Sequence, residues 1–148
     1  MKYYLRDISI EDKEFIYCTK KSSIYDFVKK TWGWDEAYQM RDFHSDFNLT
    51  DFKIIALNKK DIGFIQTNES EIMINIIEIH VIQEYQGHGI GSSIIKSIIE
   101  QAAKDNKTIT IGCFKDNLRA KELYTKLGFK VIATTDTHFN MEYSLMNK

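Results

Sequence analysis

Three glycines on alternate positions, Gly87, Gly89 and Gly91, stand immediately before an isoleucine run at helical spacing. Ile90, Ile94, Ile95, Ile98, Ile99 and Ala102 follow i, i+4, i+5, i+8, i+9, so one face of that helix must be buried against a sheet. Burial fixes the helix and therefore aims its amino terminus. Free N–H groups and a partial positive charge there attract anions, and glycines remove the Cβ atoms that would hold a phosphate away from the backbone. The chemistry is that of an anion cradle. A turn that merely ends a strand is the structural alternative, and one glycine suffices for it. A P-loop needs Gly-Lys-Ser/Thr, which is missing, and GxGxxG counted from Gly87 meets Ser92 where its third glycine belongs.

The run ahead of these glycines carries groups that move protons. Its apolar residues occupy Ile72, Ile74 and Ile76, then Ile77, Ile79 and Val81, so the alternation slips by one between Ile76 and Ile77. A β-bulge is the expected cause. It collects Asn75, Glu78 and His80 on one polar face, where a carboxylate and an imidazole can accept a proton and an amide cannot. Ordinary solvated side chains on an edge strand would give the same pattern. Further on, Asn117 and Tyr124 lie two turns apart on one face of a predicted helix and can address one extended ligand. An amphipathic helix with a half-buried tyrosine is the plain alternative. Near the amino terminus, TWGWDEAY groups Trp32 and Trp34 with Asp35 and Glu36. Aromatic walls and carboxylates suit a cationic amine, although two tryptophans beside a helix start serve core packing equally well.

These groups must be held by a scaffold, and composition limits which one. With 148 residues, 43% hydrophobic and 28% charged, the chain can bury one sizeable core, and a single domain over 1–148 is expected. Twenty basic and 21 acidic side chains give a net charge of -1 without a long basic block, which argues against nucleic acid as a partner. No stretch approaches the roughly 18 apolar residues of a membrane span, and MKYYLRDISIEDKEF lacks a signal-peptide core, so a cytoplasmic protein is expected. Cys18 and Cys113 fit no metal or disulfide spacing and read as buried free thiols; His44 and His138 read as surface or structural.

Along the chain, Lys2 to Arg6 reads as a strand, and Ser9 with Asp12 resembles a capping box opening a helix that breaks near Lys21 to Ser23. A second helical stretch holds Ile24, Phe27 and Val28, and a third spans about Asp35 to Phe47. FKIIAL, IGFIQT and EIMINIIEIHVI then form an antiparallel meander. After the glycine loop come a helix to Ala103, the strand TITIGCF, the helix DNLRAKELYTKL stopped by Gly128, a strand from Phe129, and a one-sided strand from His138 to Met146. The expected class is α/β: a mixed, mostly antiparallel twisted sheet of about six or seven strands with helices on both faces.

Read as Gln-x-x-Gly-x-Gly, residues Gln86 to Gly91 resemble the acyl-CoA pyrophosphate loop of the GNAT N-acetyltransferase superfamily. NLRAKELYTKLGF, Asn117 to Phe129, is similar to the family's downstream motif, with an asparagine and a tyrosine seven residues apart before Leu-Gly-Phe. The resemblance covers most of the chain from Phe52 onward. Ile82-Gln83 replaces the usual Asp-Pro, and His88 stands where Arg or Lys is usual before the second loop glycine.

The resemblance implies that Gln86, Gly87, His88, Gly89, Ile90, Gly91 and Ser92 hold the acetyl-CoA phosphates, and that Asn117 and Tyr124 hold the rest of this cosubstrate. It implies that the backbone of Ile79, His80 and Val81 meets pantetheine and thioester, with the Ile79 and Val81 N–H groups polarising the carbonyl, a contribution often worth about 3 kcal/mol. Many members carry a glutamate base at the position of Asn75, which leaves Glu78 as the nearest base and His80 as the second. Tyr124 matches the family's general acid. Trp32, Trp34, Asp35, Glu36 and Asn75 fall where the acceptor binds. The implied function is acetyl transfer from acetyl-CoA to a primary amine of a small molecule, by direct attack and without metal. A protein or peptide amine, a non-catalytic acyl-CoA-binding or sensing module, and association as a homodimer stay open.

Overall fold

The computed structural model describes residues 2–145. In chain order it contains β1 (Tyr3–Asp7), α1 (Lys13–Trp32), α2 (Glu36–Asp46), β2 (Phe52–Leu57), β3 (Lys60–Glu69), β4 (Met73–Val81), α3 (Ile90–Asp105), β5 (Thr108–Phe114), α4 (Leu118–Lys126), β6 (Lys130–Thr134) and β7 (His138–Tyr143). The strands form one sheet in the order β1-β2-β3-β4-β5-β7-β6. β4 and β5 run parallel, whereas β1 with β2, β5 with β7 and β6 with β7 are antiparallel. This is the mixed α/β sheet that the order of elements predicts. The chain divides into two compact units, one built from residues up to Ile65 plus Ile79–His88, the other from Gln66–Glu78 plus Gly89 onward.

In the first unit, Ser9 and Asp12 form the expected capping box, Asp12 accepting a hydrogen bond from the Ser9 N–H at 2.9 Å, and a 3₁₀ turn leads into α1. Arg6 binds the same carboxylate at 2.8 Å, which is the main reason that Asp12 is held below the usual carboxylate range. α1 does not break at Lys21 to Ser23. Lysine and serine are tolerated inside a helix, and no glycine or proline intervenes before Gly33, whose φ of +79° ends it. Ile16, Thr19 and Val28 form the buried side of α1, so Cys18 is exposed, contrary to its expected burial. Phe43 of α2 joins Ile16, Phe52, Ile54 and Phe64 in one core, knit by ring contacts from Tyr17 to Phe43 at 5.3 Å and from Phe52 to Phe64 at 5.8 Å.

In the second unit, Ile90, Ile94, Ile95 and Ala102 bury one side of α3, as the spacing predicts. The helix ends at Asn106 in the left-handed region, where the Lys107 N–H reaches the Ala102 carbonyl at 2.9 Å. α4 stops at Gly128, whose φ is +107° and whose missing side chain leaves room for the Tyr143 ring. β7 buries Met141 and half-buries Phe139 and Tyr143, the expected alternation; the strand ends at Tyr143, and Met146, its expected end, lies outside the described residues. Cys113 is buried, and burial pushes its thiol up. β4 is shorter than expected: Ile72 is exposed and precedes it.

Candidate active site

The glycine loop follows β4 through a 3₁₀ turn, Gln83–Tyr85, and is tied back to the strand by the Gln86 side-chain amide, which donates to the Val81 carbonyl at 2.8 Å. Gln86 therefore staples the loop, a role that its place in a phosphate motif does not suggest. Gly87 and Gly89 have φ of +80° and +79°, conformations that cost side-chain-bearing residues free energy. Gly89 is the N-cap of α3 and offers no side-chain cap, and the first turn holds no acidic residue. Gly91 differs from these two. It is absent from the positive-φ residues, and a Cβ built on it meets nothing within 4 Å. Neither backbone strain nor packing requires a glycine there. The buried side chain of Ile90 seats the helix start, while His88 is exposed and Ser92 half-buried.

The β4–β5 ladder runs from Met73↔Thr108 to Ile76↔Ile111, and β4 continues past it from Ile77 onward. Burial changes at the same point. Ile74 and Ile76 are buried, Ile77 is exposed, and Glu78, Ile79, His80 and Val81 are half-buried. The second apolar set is therefore not a second core phase. The crowded place on the strand is His80–Val81, where a Cβ added at Gly63 of β3 would collide with the His80 carbonyl and lie 3.0 Å from the Val81 Cα. Gly63 lets the strands approach this closely, and sequence reading passed over it; the signal was one glycine inside an otherwise apolar strand. The His80 ring packs on the buried Phe64 ring at 5.4 Å. Asn75 accepts from the Thr110 hydroxyl at 2.9 Å across the ladder.

On α4, Tyr124 is buried, its ring 6.2 Å from that of Phe129. Burial, with a smaller contribution from Cys113, pushes its hydroxyl up to about 12, so the group keeps its proton at any ordinary pH. Asn117 is the N-cap rather than a residue of the helix face, its Oδ1 accepting from the Ala120 N–H at 3.1 Å. Its Oδ1 is thereby used locally, which leaves the Nδ2 end for other contacts.

The Trp-rich segment turns out to be wired into its own unit. Asp35 caps α2 through the Tyr38 N–H at 3.1 Å. Glu36 accepts from the Tyr17 hydroxyl at 2.8 Å, Lys21 at 3.1 Å and Trp34 Nε1 at 3.2 Å, bonds that lower its carboxyl from the ordinary value, that of Tyr17 most. Trp34 rests on Tyr25 at 5.1 Å, whereas Trp32 is widely exposed, at 62%. Both carboxylates expected to meet a cationic acceptor thus also accept hydrogen bonds within the protein, Asp35 from one backbone N–H and Glu36 from three side chains. Among the described residues no cluster of three metal-ligating side chains exists, and no helix is long and apolar enough to cross a membrane.

No curated protein matches the sequence. Solved structures match over nearly the whole chain. PaiA N-acetyltransferase from Thermoplasma acidophilum, in complex with coenzyme A, superposes with a TM-score of 0.77 at 20% identity, covering 97% of this chain and 99% of that one. Arabidopsis thaliana Naa50 in complex with the bisubstrate analogue CoA-Ac-MVNAL gives 0.70 at 16% identity, covering 98% and 100%. The ribosomal-protein-S18-alanine N-acetyltransferase from Escherichia coli gives 0.70 at 19% identity, covering 96% and 93%. At these identities the likeness establishes the fold. The profile of the acetyltransferase (GNAT) family matches residues 14–129, well over half of the sequence. The chain belongs to the GNAT family of acetyltransferases.

Proposed function

We propose that this protein transfers the acetyl group of acetyl-CoA to a primary amine. The observation that carries the reading is Gly91: a glycine in the first turn of α3 that neither φ nor packing demands, at a helix start without a side-chain cap. Glycine there costs the helix about 1 kcal/mol against alanine, and an approaching pyrophosphate is the physical reason to keep the space open. The N–H groups of Ile90, Gly91 and Ser92 hold the phosphates, and the exposed His88 precedes them in the chain.

Bound acetyl-CoA supplies an acetyl thioester, a carbonyl activated toward amines with a thiol leaving group whose pKa is near roughly 8.5. The residues of the chain do the rest. Half-buried Ile79 and Val81 offer apolar side chains to the pantetheine arm and backbone N–H groups to the carbonyl oxygen. Glu78 takes the proton of the attacking amine, which is almost wholly protonated at neutral pH if its pKa is near roughly 10.4. Tyr124, neutral because it is buried, gives its hydroxyl proton to the sulfur as the carbon–sulfur bond breaks and the carbon–nitrogen bond forms, and the second nitrogen proton, shed as the amide forms, restores the phenol. Asn75, bonded to Thr110, supplies no base and remains a contact for the acceptor.

The test is thiol release from acetyl-CoA across a panel of primary amines, run beside calorimetry of acetyl-CoA binding. Release with at least one amine, losing its acidic limb in the pH profile of kcat/KM for Glu78→Gln, is the expected result. Binding without release from any amine would make the protein an acyl-CoA-binding module, and absence of binding would remove the acetyl-CoA reading altogether.

A further inference from the structure

In the second unit a cleft of about 530 Å³ opens over β4, β5, β7 and β6, and its polar lining is made of side-chain amides and hydroxyls. Asn75 stands opposite Thr110, and Gly112 opposite Asn140. The Thr110 hydroxyl donates to Asn75 Oδ1, which leaves the two Nδ2 protons of Asn75 for an occupant. Gly112 gives the cleft a bare floor: a Cβ there would lie 3.4 Å from Asn140 Oδ1, so that oxygen borders the open space as an acceptor. Met73 and Ile132 supply apolar wall. The carboxylate in the lining, Glu69, is bound by Lys107 at 3.0 Å, so no uncompensated charge faces an occupant.

β5 lies between Asn75 and Asn140, which face it two residues apart along its length, so two strand spacings and that offset put the two strand positions roughly 12 Å apart. That is the separation of peptide groups three to four residues apart in an extended chain. A polycation would find here only Glu69, already paired with Lys107, while Asp35 and Glu36 of the other unit accept hydrogen bonds from their own neighbours. We infer that this cleft holds the body of the acceptor, and that the acceptor is a neutral peptide chain with a free terminal amine rather than a small cationic amine. Donors of Asn75 meet its carbonyl groups and Asn140 Oδ1 meets an N–H. The inference rests on the acetyl-transfer reading. Along β4, Glu78 lies three residues from Asn75, roughly 10 Å, so a dipeptide whose amine reaches Glu78 leaves the cleft empty.

The experiment compares thiol release with neutral peptide carboxamides of two, four and six residues and with a linear polyamine of matching length. The expected result is a rise in kcat/KM of at least ten-fold from two residues to six. Gly112→Val, which fills the floor, and Asn140→Ala, which removes the acceptor without adding bulk, should each bring the six-to-two ratio down to about one. A ratio near one in the wild type, or a polyamine faster than the hexapeptide, overturns the inference. Side-chain amide resonances of Asn75 and Asn140, titrated with the hexapeptide alone, give an answer independent of turnover. Saturable shifts are expected, and no shift at millimolar peptide overturns the site. Shifts without thiol release from any amine would leave the peptide site standing and remove the acetyl-transfer reading instead.

Discussion

The amino termini of α2 and α4 are closed by the protein itself, whereas that of α3 is left open. Asp35 and Asn117 each place a side-chain oxygen 3.1 Å from a first-turn N–H. α3 begins at Gly89 with no side-chain cap and carries Gly91 in its first turn. Side-chain caps stabilise a helix start by about 1 kcal/mol, so a 16-residue helix without one gives up stability that its two neighbours keep. On the proposed reading, the difference separates helix starts that the protein caps with its own side chains from one whose cap would be the cosubstrate phosphates.

The sharpest way to break this comparison is to add an anion to α3. The Cβ of Gly91→Glu meets nothing within 4 Å, and both helix propensity and the macrodipole favour the substitution, together by about 1 kcal/mol. The variant should melt a few degrees higher while its acetyl-CoA affinity, read by calorimetry, falls at least about 10²-fold. Unchanged affinity would mean that the open helix start serves nothing. The next effect is on rate. Tyr124→Phe should lower kcat by about 10²-fold and leave acetyl-CoA affinity within a few-fold. The buried hydroxyl also links stability to pH. Because its folded pKa is raised from 10 to about 12, stability should fall as pH rises through that window, and the slope should be shallower in the phenylalanine variant. Equal kcat in both proteins would reduce Tyr124 to packing.

Smaller effects sharpen the structural side of the comparison. Asp35→Ala should cost about 1 kcal/mol, a loss of a few degrees in Tm, with acetyl-CoA affinity unchanged. If affinity fell with stability, caps and cradle would not be separable. Smallest is Glu36, whose carboxyl is held low first by Tyr17, then by Lys21 and Trp34. Its contribution is present above the unfolded carboxylate pKa and lost as pH drops through the folded one. Glu36→Gln should therefore lower Tm slightly at pH 7 and flatten the acid side of the Tm profile below about pH 4.5. A parallel acid limb in both proteins would show that the three bonds to Glu36 carry no net stability.

The chain's own order of residues determined the succession of elements, the buried stripe of α3 and the glycine-rich helix start, because these depend on periodicity and backbone preference within a few residues of one another. Tyr124 and Asn117 were visible as a spaced pair for the same reason. Cys18, the continuity of α1, and the roles of Glu36, Gln86 and Gly63 were decided only in the folded molecule. Whether Cys18 is buried depends on which side of α1 the core occupies, and Glu36 looks like a ligand until Tyr17 and Lys21 arrive from nineteen and fifteen residues away. Gly63 reads as a weak point in a strand until β4 comes close enough to forbid a side chain. The cleft over Gly112 is the extreme case: Asn75, Thr110 and Asn140 come from three strands, and no local spacing relates them. Pairing of strands far apart in the chain brings such groups together, and that pairing is a property of the whole sheet rather than of any segment.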